Sequence, residues 1–164
     1  MPNAIITATG SFLPPVTVPN SAFLEHRFFG ADGKRLERPN TAIVSKLEEI
    51  TGIRERRYAT GEMTTSDLAL AAAERALEAV DTESLDYLIV AHNFGDVTTA
   101  TRRTDQVPNI ASRVKQRLGI ENPRTVAYDL PFGCPGWLLA LIQANYFIGS
   151  GDARRALVIG VELV

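Results

Sequence analysis

The sequence predicts an α/β fold built on a mixed, mostly parallel sheet with helices on both faces, and three observations carry this. Strand-like runs recur at residues 4–8, 87–91, 125–130 and 156–161, rich in Ile, Val and Leu rather than alternating, as strands covered on both faces read. Helical patterns lie between them. Gly and Pro stand at the joints, which is the punctuation of strand–helix units.

Taken in order, the first run ends at Gly10. Residues 28–38 are polar, with glycines and mixed charge, and read as a mobile loop before the next helix. Thr64-Thr65-Ser66-Asp67 fits a capping box, and Leu70, Ala73, Leu77 and Val80 follow at helical spacing. After the second strand, a helix is expected over 109–118, between Pro108 and Gly119. The third strand runs into Phe132-Gly133-Cys134-Pro135-Gly136, and a further helix is expected over 136–148. That helix is apolar on almost every side, from Trp137 to Ile148, with Gln143 and Asn145 as its strongly polar residues. A helix apolar all round must be buried all round, so a second protein layer over it is expected.

At 164 residues one domain is expected. A hydrophobic share of 45% against 22% charged is that of a soluble globular protein. The net charge of −2 gives no overall pull towards nucleic acid or membrane, so neither is expected as a partner. One cysteine excludes an internal disulfide framework and fits a reducing cytoplasm. His26 and His92 are far apart, and with a single Cys no metal site is expected. Met1-Pro2-Asn3 lacks the basic start of a secretory signal. Residues 130–151 carry no charge, but their helical part is shorter than the ~20 apolar residues a bilayer crossing needs.

The one thiol, Cys134, stands where strand becomes helix. Proline suits a first helical position, so Pro135 is expected there, with Cys134 at the helix N-terminus. Backbone N–H groups at such an end favour a thiolate and cradle an oxyanion, which suits a nucleophile. The competing reading is an inert buried cysteine, although such a residue needs no glycine on either side. A self-contained Cys134–His92–Asn93 site is a further alternative, against a His92 satisfied by local hydrogen bonds at a strand end.

These residues resemble the ketoacyl synthase III (3-oxoacyl-acyl-carrier-protein synthase III) group of the thiolase-fold condensing enzymes. The Cys134 segment resembles the active-site motif, and Thr51-Gly52-Ile53-Arg54-Glu55-Arg56-Arg57 resembles the group's Thr-Gly-Ile-x-Glu-Arg-Arg signature. Ile5-Ile6-Thr7-Ala8-Thr9-Gly10-Ser11-Phe12-Leu13-Pro14 is similar to its first strand and turn. Leu157-Val158-Ile159-Gly160-Val161-Glu162 is similar to the strand after the nucleophile helix. The resemblance implies that residues 1–164 are the N-terminal thiolase-like half of a duplicated αβαβα architecture, with the C-terminal half supplying a catalytic His and Asn.

The function so implied is acyl transfer from acyl-CoA to Cys134, then condensation with malonyl-acyl carrier protein and loss of CO2. Gly133 and Cys134 form the implied oxyanion elbow, and a homodimer is the implied assembly. Acyl-CoA and the carrier's phosphopantetheine enter as substrates, and no cofactor is expected. The implied acyl pocket includes Val107 and Phe132. Val107 replaces a bulky aromatic and leaves room for longer or branched chains, unless neighbours refill the space. Thr51, Arg54 and Lys46 are candidates for substrate binding. Lys46 and Ile50 stand where many relatives place a Trp and an Arg against CoA adenine, which implies altered CoA recognition. The Arg54–Arg57 run reads more often as a solvated surface with a Glu55 partner. Other thiolase-fold acyl-CoA condensing enzymes, hydroxymethylglutaryl-CoA synthase-like or secondary-metabolite, remain alternatives. So does a non-catalytic half-domain that binds a partner.

Overall fold

The computed structural model describes residues 4–98 and 102–163. In chain order the elements are β1 (Val16–Pro19), α1 (Asn40–Thr51), β2 (Glu55–Tyr58), α2 (Thr65–Leu77), β3 (Tyr87–His92), β4 (Asp96–Val97), β5 (Thr104–Asp105), α3 (Ile110–Arg117), β6 (Val126–Pro131), α4 (Gly136–Ser150) and β7 (Ala156–Gly160). They fall into two compact units, one of residues 14–60 and one of the remainder.

The larger unit is built on a parallel sheet of order β6-β3-β7, with Tyr87 opposite Val126 on one side and Ala156 on the other. The central strand β3 alternates its core between two faces, as the pleat requires. Leu88 and Val90 pack with Ala69, Ala73 and Leu77 of α2 and with Ile110, Ala111 and Val114 of α3. Ile89 faces the other way, onto Ala140 and Ala144 of α4. Helices on both faces over a parallel sheet are what the Ile/Val/Leu runs predict.

The expected strand over 4–8 does not form. Ile5 and Ile6 are 81% and 71% exposed, and no strand among the described residues pairs with this segment. Side chains hold it instead of a ladder: the Ala4 N–H donates to Asn145 Oδ1 at 3.0 Å, and Arg75 donates to the Ser11 carbonyl. Gly10 lies so close to α2 that a Cβ there would stand 2.4 Å from the Ala76 nitrogen. A run of β-prone residues becomes a strand only where a neighbour supplies the hydrogen-bond partners.

The capping box before α2 is present in full. The Thr64 side chain accepts from the Asp67 N–H while the Asp67 carboxylate accepts from the Thr64 N–H. Arg117 of α3 donates to the same carboxylate at 2.8 Å, tying the two helices. Burial pushes the Asp67 pKa up, but the Thr64 backbone and hydroxyl donors and Arg117 outweigh it, so the group titrates below its ordinary 3.8. A depressed folded pKa means stability that is present above the unfolded pKa and lost as pH falls through the folded one. Asp67→Asn is therefore expected to cost about 1 kcal/mol at neutral pH. Urea titrations run downwards in pH should show the two proteins converging below the ordinary aspartate range. A gap that persists into strong acid would count against this linkage.

Helix α4 buries a stripe of small residues, Gly136, Ala140 and Ala144, against the sheet. At the same spacing on the far side, Leu138, Ile142 and Tyr146 are exposed. The apolar surface opposite the sheet is thus uncovered among the described residues. No helix among them is long and apolar enough to cross a membrane.

In the smaller unit β1 and β2 pair antiparallel, Val16 opposite Tyr58. Helix α1 ends at Gly52, whose φ of +69° suits glycine and whose N–H returns to the Glu48 carbonyl. Residues 28–38, expected as a mobile loop, are tied by backbone bonds from Gly30 N–H to Lys34 O and Leu36 N–H to Phe28 O.

Candidate active site

All three strands of the parallel sheet end on one side, and the polar side chains gather there. In parallel sheets this edge is where ligands bind, because strand ends and helix N-termini converge on it. Strand β6 delivers Pro131 to this edge, and the chain turns through Phe132, Gly133, Cys134 and Pro135 into α4. Gly133 has φ +62°, a left-handed conformation that glycine adopts without strain. The Gly136 N–H donates to the Gly133 carbonyl at 3.0 Å, closing a turn with Cys134 and Pro135 at its centre.

The helix starts at Gly136 as expected, but Pro135 stands at its N-cap rather than at the first helical position, with its carbonyl accepting from the Leu139 N–H. The closed turn fixes this, since its backbone bond places Pro135 before the first helical residue. No side chain caps this end and no acidic residue lies in its first turn. Beyond the Gly136 N–H, which closes the turn, the N–H groups of the first turn have no side-chain cap, and a helix N-terminus of this kind favours an anion. Gly136 lets the helix approach the central strand, for a Cβ there would be 3.3 Å from the Ala91 Cβ. Trp137 packs on Gly160, where a Cβ would stand 2.9 Å from its ring. The Cys134 thiol is exposed, unlike an inert core cysteine.

His92 ends β3 and is buried. Its Nδ1 accepts from the Gly95 N–H at 3.0 Å, and its Nε2 lies 2.7 Å from Asp129 Oδ2. The first bond puts the ring proton on Nε2, which donates to Asp129. Both nitrogens are thus engaged, and the Cys134–His92–Asn93 alternative loses its base. Asp129 also accepts from the Ile110 and Ala111 N–H groups at 2.8 Å, so it binds the first turn of α3 as well as the histidine. Sequence reading missed Asp129, because nothing local marks a strand carboxylate as the partner of a helix end.

That tie brings the segment before α3 against the strand that leads to Cys134. Val107 is 86% exposed beside that helix start, and Phe132 is half-exposed at the elbow. Arg113 donates to the Pro108 carbonyl, Asp96 and Asp105, bracing the approach to Val107. In the smaller unit, Thr51 Oγ1 donates to the Leu47 carbonyl and accepts from the Ile53 N–H, so its hydroxyl closes its own helix. Lys46 pairs with Glu49, and Arg54 with Glu48. Asn20 links Glu48, the Ile53 carbonyl and Arg56.

A second residue that sequence reading passed over is Glu162, just beyond β7. Its Oε2 accepts from Asn93 Nδ2, at the end of β3. Its Oε1 is sealed from solvent and has no hydrogen-bond partner among the described residues.

The chain is similar to known proteins along its length. The family described as 3-Oxoacyl-[acyl-carrier-protein (ACP)] synthase III matches residues 128–164, the stretch from β6 through Cys134 to β7. A beta-ketoacyl-[acyl-carrier-protein] synthase III of Laribacter hongkongensis (strain HLHK9) is 38% identical over 99% of this chain and 44% of its own length. The solved synthase III of Thermus thermophilus is 30% identical at a TM-score of 0.71, covering 97% of this chain and 43% of that one. That of Aquifex aeolicus VF5 is 28% identical at 0.73, covering 98% and 45%. The chain spans less than half the length of these relatives.

Proposed function

We propose that this chain, which is ketoacyl synthase III-like throughout and has the thiolase fold of that group, carries the nucleophile of a condensing acyltransferase. The observation that supports this most is the exposed Cys134 on a tight turn at the carboxyl edge of a parallel sheet, inside the stretch that matches the family. In this reading the Cys134 sulfur attacks the thioester carbonyl of an acyl-CoA. A C–S bond forms to Cys134, the bond to CoA breaks, and CoA leaves as the thiol with the proton that Cys134 gave up. Malonyl-acyl carrier protein then loses CO2. The enolate forms a C–C bond to the acyl carbon and expels the Cys134 sulfur, giving 3-oxoacyl-acyl carrier protein. A covalent intermediate divides one difficult step into two easier ones.

The Cys134 N–H at the elbow serves the oxyanion in both steps. A histidine and an asparagine for the decarboxylation come from a second half of the complete protein, packed over the open side of α4. The complete protein works as a cytoplasmic homodimer. Lys46, Thr51 and Arg54 contribute to binding the donor or the carrier.

The test is the intact mass of the complete protein after incubation with a panel of acyl-CoAs, for wild type and Cys134→Ala. An adduct in wild type that the variant lacks supports the reading, and no adduct in wild type from any donor overturns it.

Val107 gives the pocket its volume in this reading. Val107→Phe is expected to leave acetyl transfer within about threefold while cutting transfer of longer or branched chains about tenfold or more. Equal losses across the chain-length series would argue against a place for Val107 in the pocket.

A further inference from the structure

We propose that Glu162 and Asn93 form a brace behind the nucleophile elbow, with Glu162 as a positioning residue acting through Asn93. Resting on the reading above, this adds to that site two residues that the reaction scheme does not use. The two stand at the ends of neighbouring strands, β7 and β3, 69 residues apart in sequence. Because the Asn93 amide nitrogen is given to Glu162, its carbonyl oxygen must point the other way. It lies towards the elbow: apart from Gly133's own chain neighbours, Asn93 Oδ1 is the one described atom within 4 Å of where a Gly133 Cβ would stand, at 3.7 Å. The carboxamide is thus bonded to the Glu162 carboxylate on one side and lies beside the turn that carries Cys134 on the other.

The second observation is the state of Glu162 itself. Its Oε1 is shut off from solvent without a partner among the described residues. A buried polar atom left unpaired weakens the fold, and such atoms are few in native proteins. An apolar pair in place of Asn93 and Glu162 would leave no oxygen unpaired. Local rules broken at the carboxyl edge of a sheet, beside a nucleophile, are expected of functional rather than structural residues. Supporting groups of this kind matter because displacing a reacting atom by about 1 Å can cost roughly a hundredfold in rate.

The experiment compares the complete protein with Glu162→Met, Glu162→Gln and the double variant Asn93→Leu/Glu162→Met. Two rates are read, alkylation of Cys134 by iodoacetamide and acylation by acyl-CoA, together with Tm. The expected result is about a tenfold fall in both rates for Glu162→Met. Glu162→Gln, which keeps an acceptor for Asn93, should stay within twofold of wild type. Replacing both partners by apolar side chains keeps the pair satisfied, so the double variant should keep its Tm and still react slowly. Wild-type alkylation rates in a folded Glu162→Met protein overturn the proposal, and so does a folded double variant with wild-type rates. Should Glu162→Met fail to fold, the double variant decides. Alkylation needs no acyl donor, so a wild-type protein that takes no acyl group sinks the condensing reading while the brace is still judged.

Discussion

Cys134→Ala is expected to leave the complete protein folded but without any acyl adduct, and to cut condensation by roughly a thousandfold or more. The size follows from chemistry. Without the sulfur there is no atom to accept the acyl group, and the elbow N–H groups then have no tetrahedral intermediate to stabilise. Folding is expected to survive because Cys134 is exposed, and neither the closing bond from Gly136 to Gly133 nor the Gly133 conformation involves its side chain. Paired mass spectra and thermal melts check both halves of the claim. An unchanged Tm with residual turnover above about a tenth of wild type would show that another group carries the acyl chain. Unfolding of the variant would instead show that the thiol packs the elbow.

Asp129→Ala has the largest expected effect on stability, a loss of about 3–5 kcal/mol. Three donors converge on this carboxylate: His92 Nε2 and the Ile110 and Ala111 N–H groups. Their residues are among the most buried of the unit, so water does not readily replace the lost acceptor. The Asn109 side chain, which accepts from the Ser112 N–H, still caps part of α3 and keeps the loss below a simple sum. Asp129→Asn retains one acceptor oxygen and should fall between the two. Urea midpoints at constant slope give the measurement. A loss under about 1 kcal/mol for the alanine variant would mean that the junction of β3, β6 and α3 finds other partners. The same junction holds the segment bearing Val107, so acyl chain-length preference should blur as stability falls.

The sequence showed local features well because each depends on neighbours in the chain. Thr64 and Asp67 form the capping box that their spacing announces. The Ile, Val and Leu runs at 87–91, 125–130 and 156–161 became the parallel sheet, each within a residue of expectation, with burial concentrated in the central β3. The apolar surround of α4 led to the expectation of a second layer over it, and the side facing away from the sheet, Leu138, Ile142 and Tyr146, is exposed. The run at 4–8 failed for want of a partner, since strand propensity supplies side chains and not a ladder. Pro135 was misplaced by one residue because the turn at Gly133 closes through backbone bonds that no side chain reveals.

The candidate site divides the same way. Cys134, Gly133 and the strand-to-helix joint were legible because they lie consecutively in the chain. Asp129 gains its role from His92, 37 residues away, and from the first turn of α3. Glu162 gains its role from Asn93, 69 residues away. Those pairings exist because parallel strands end on one edge of the sheet, whatever their separation in sequence. Residue type and spacing determined most of the elements and pointed to Cys134 as the candidate nucleophile. The register of β6, β3 and β7 alone decided which carboxylate meets the histidine and which stands behind the elbow, because hydrogen bonds across strands follow position in the sheet rather than position in the chain.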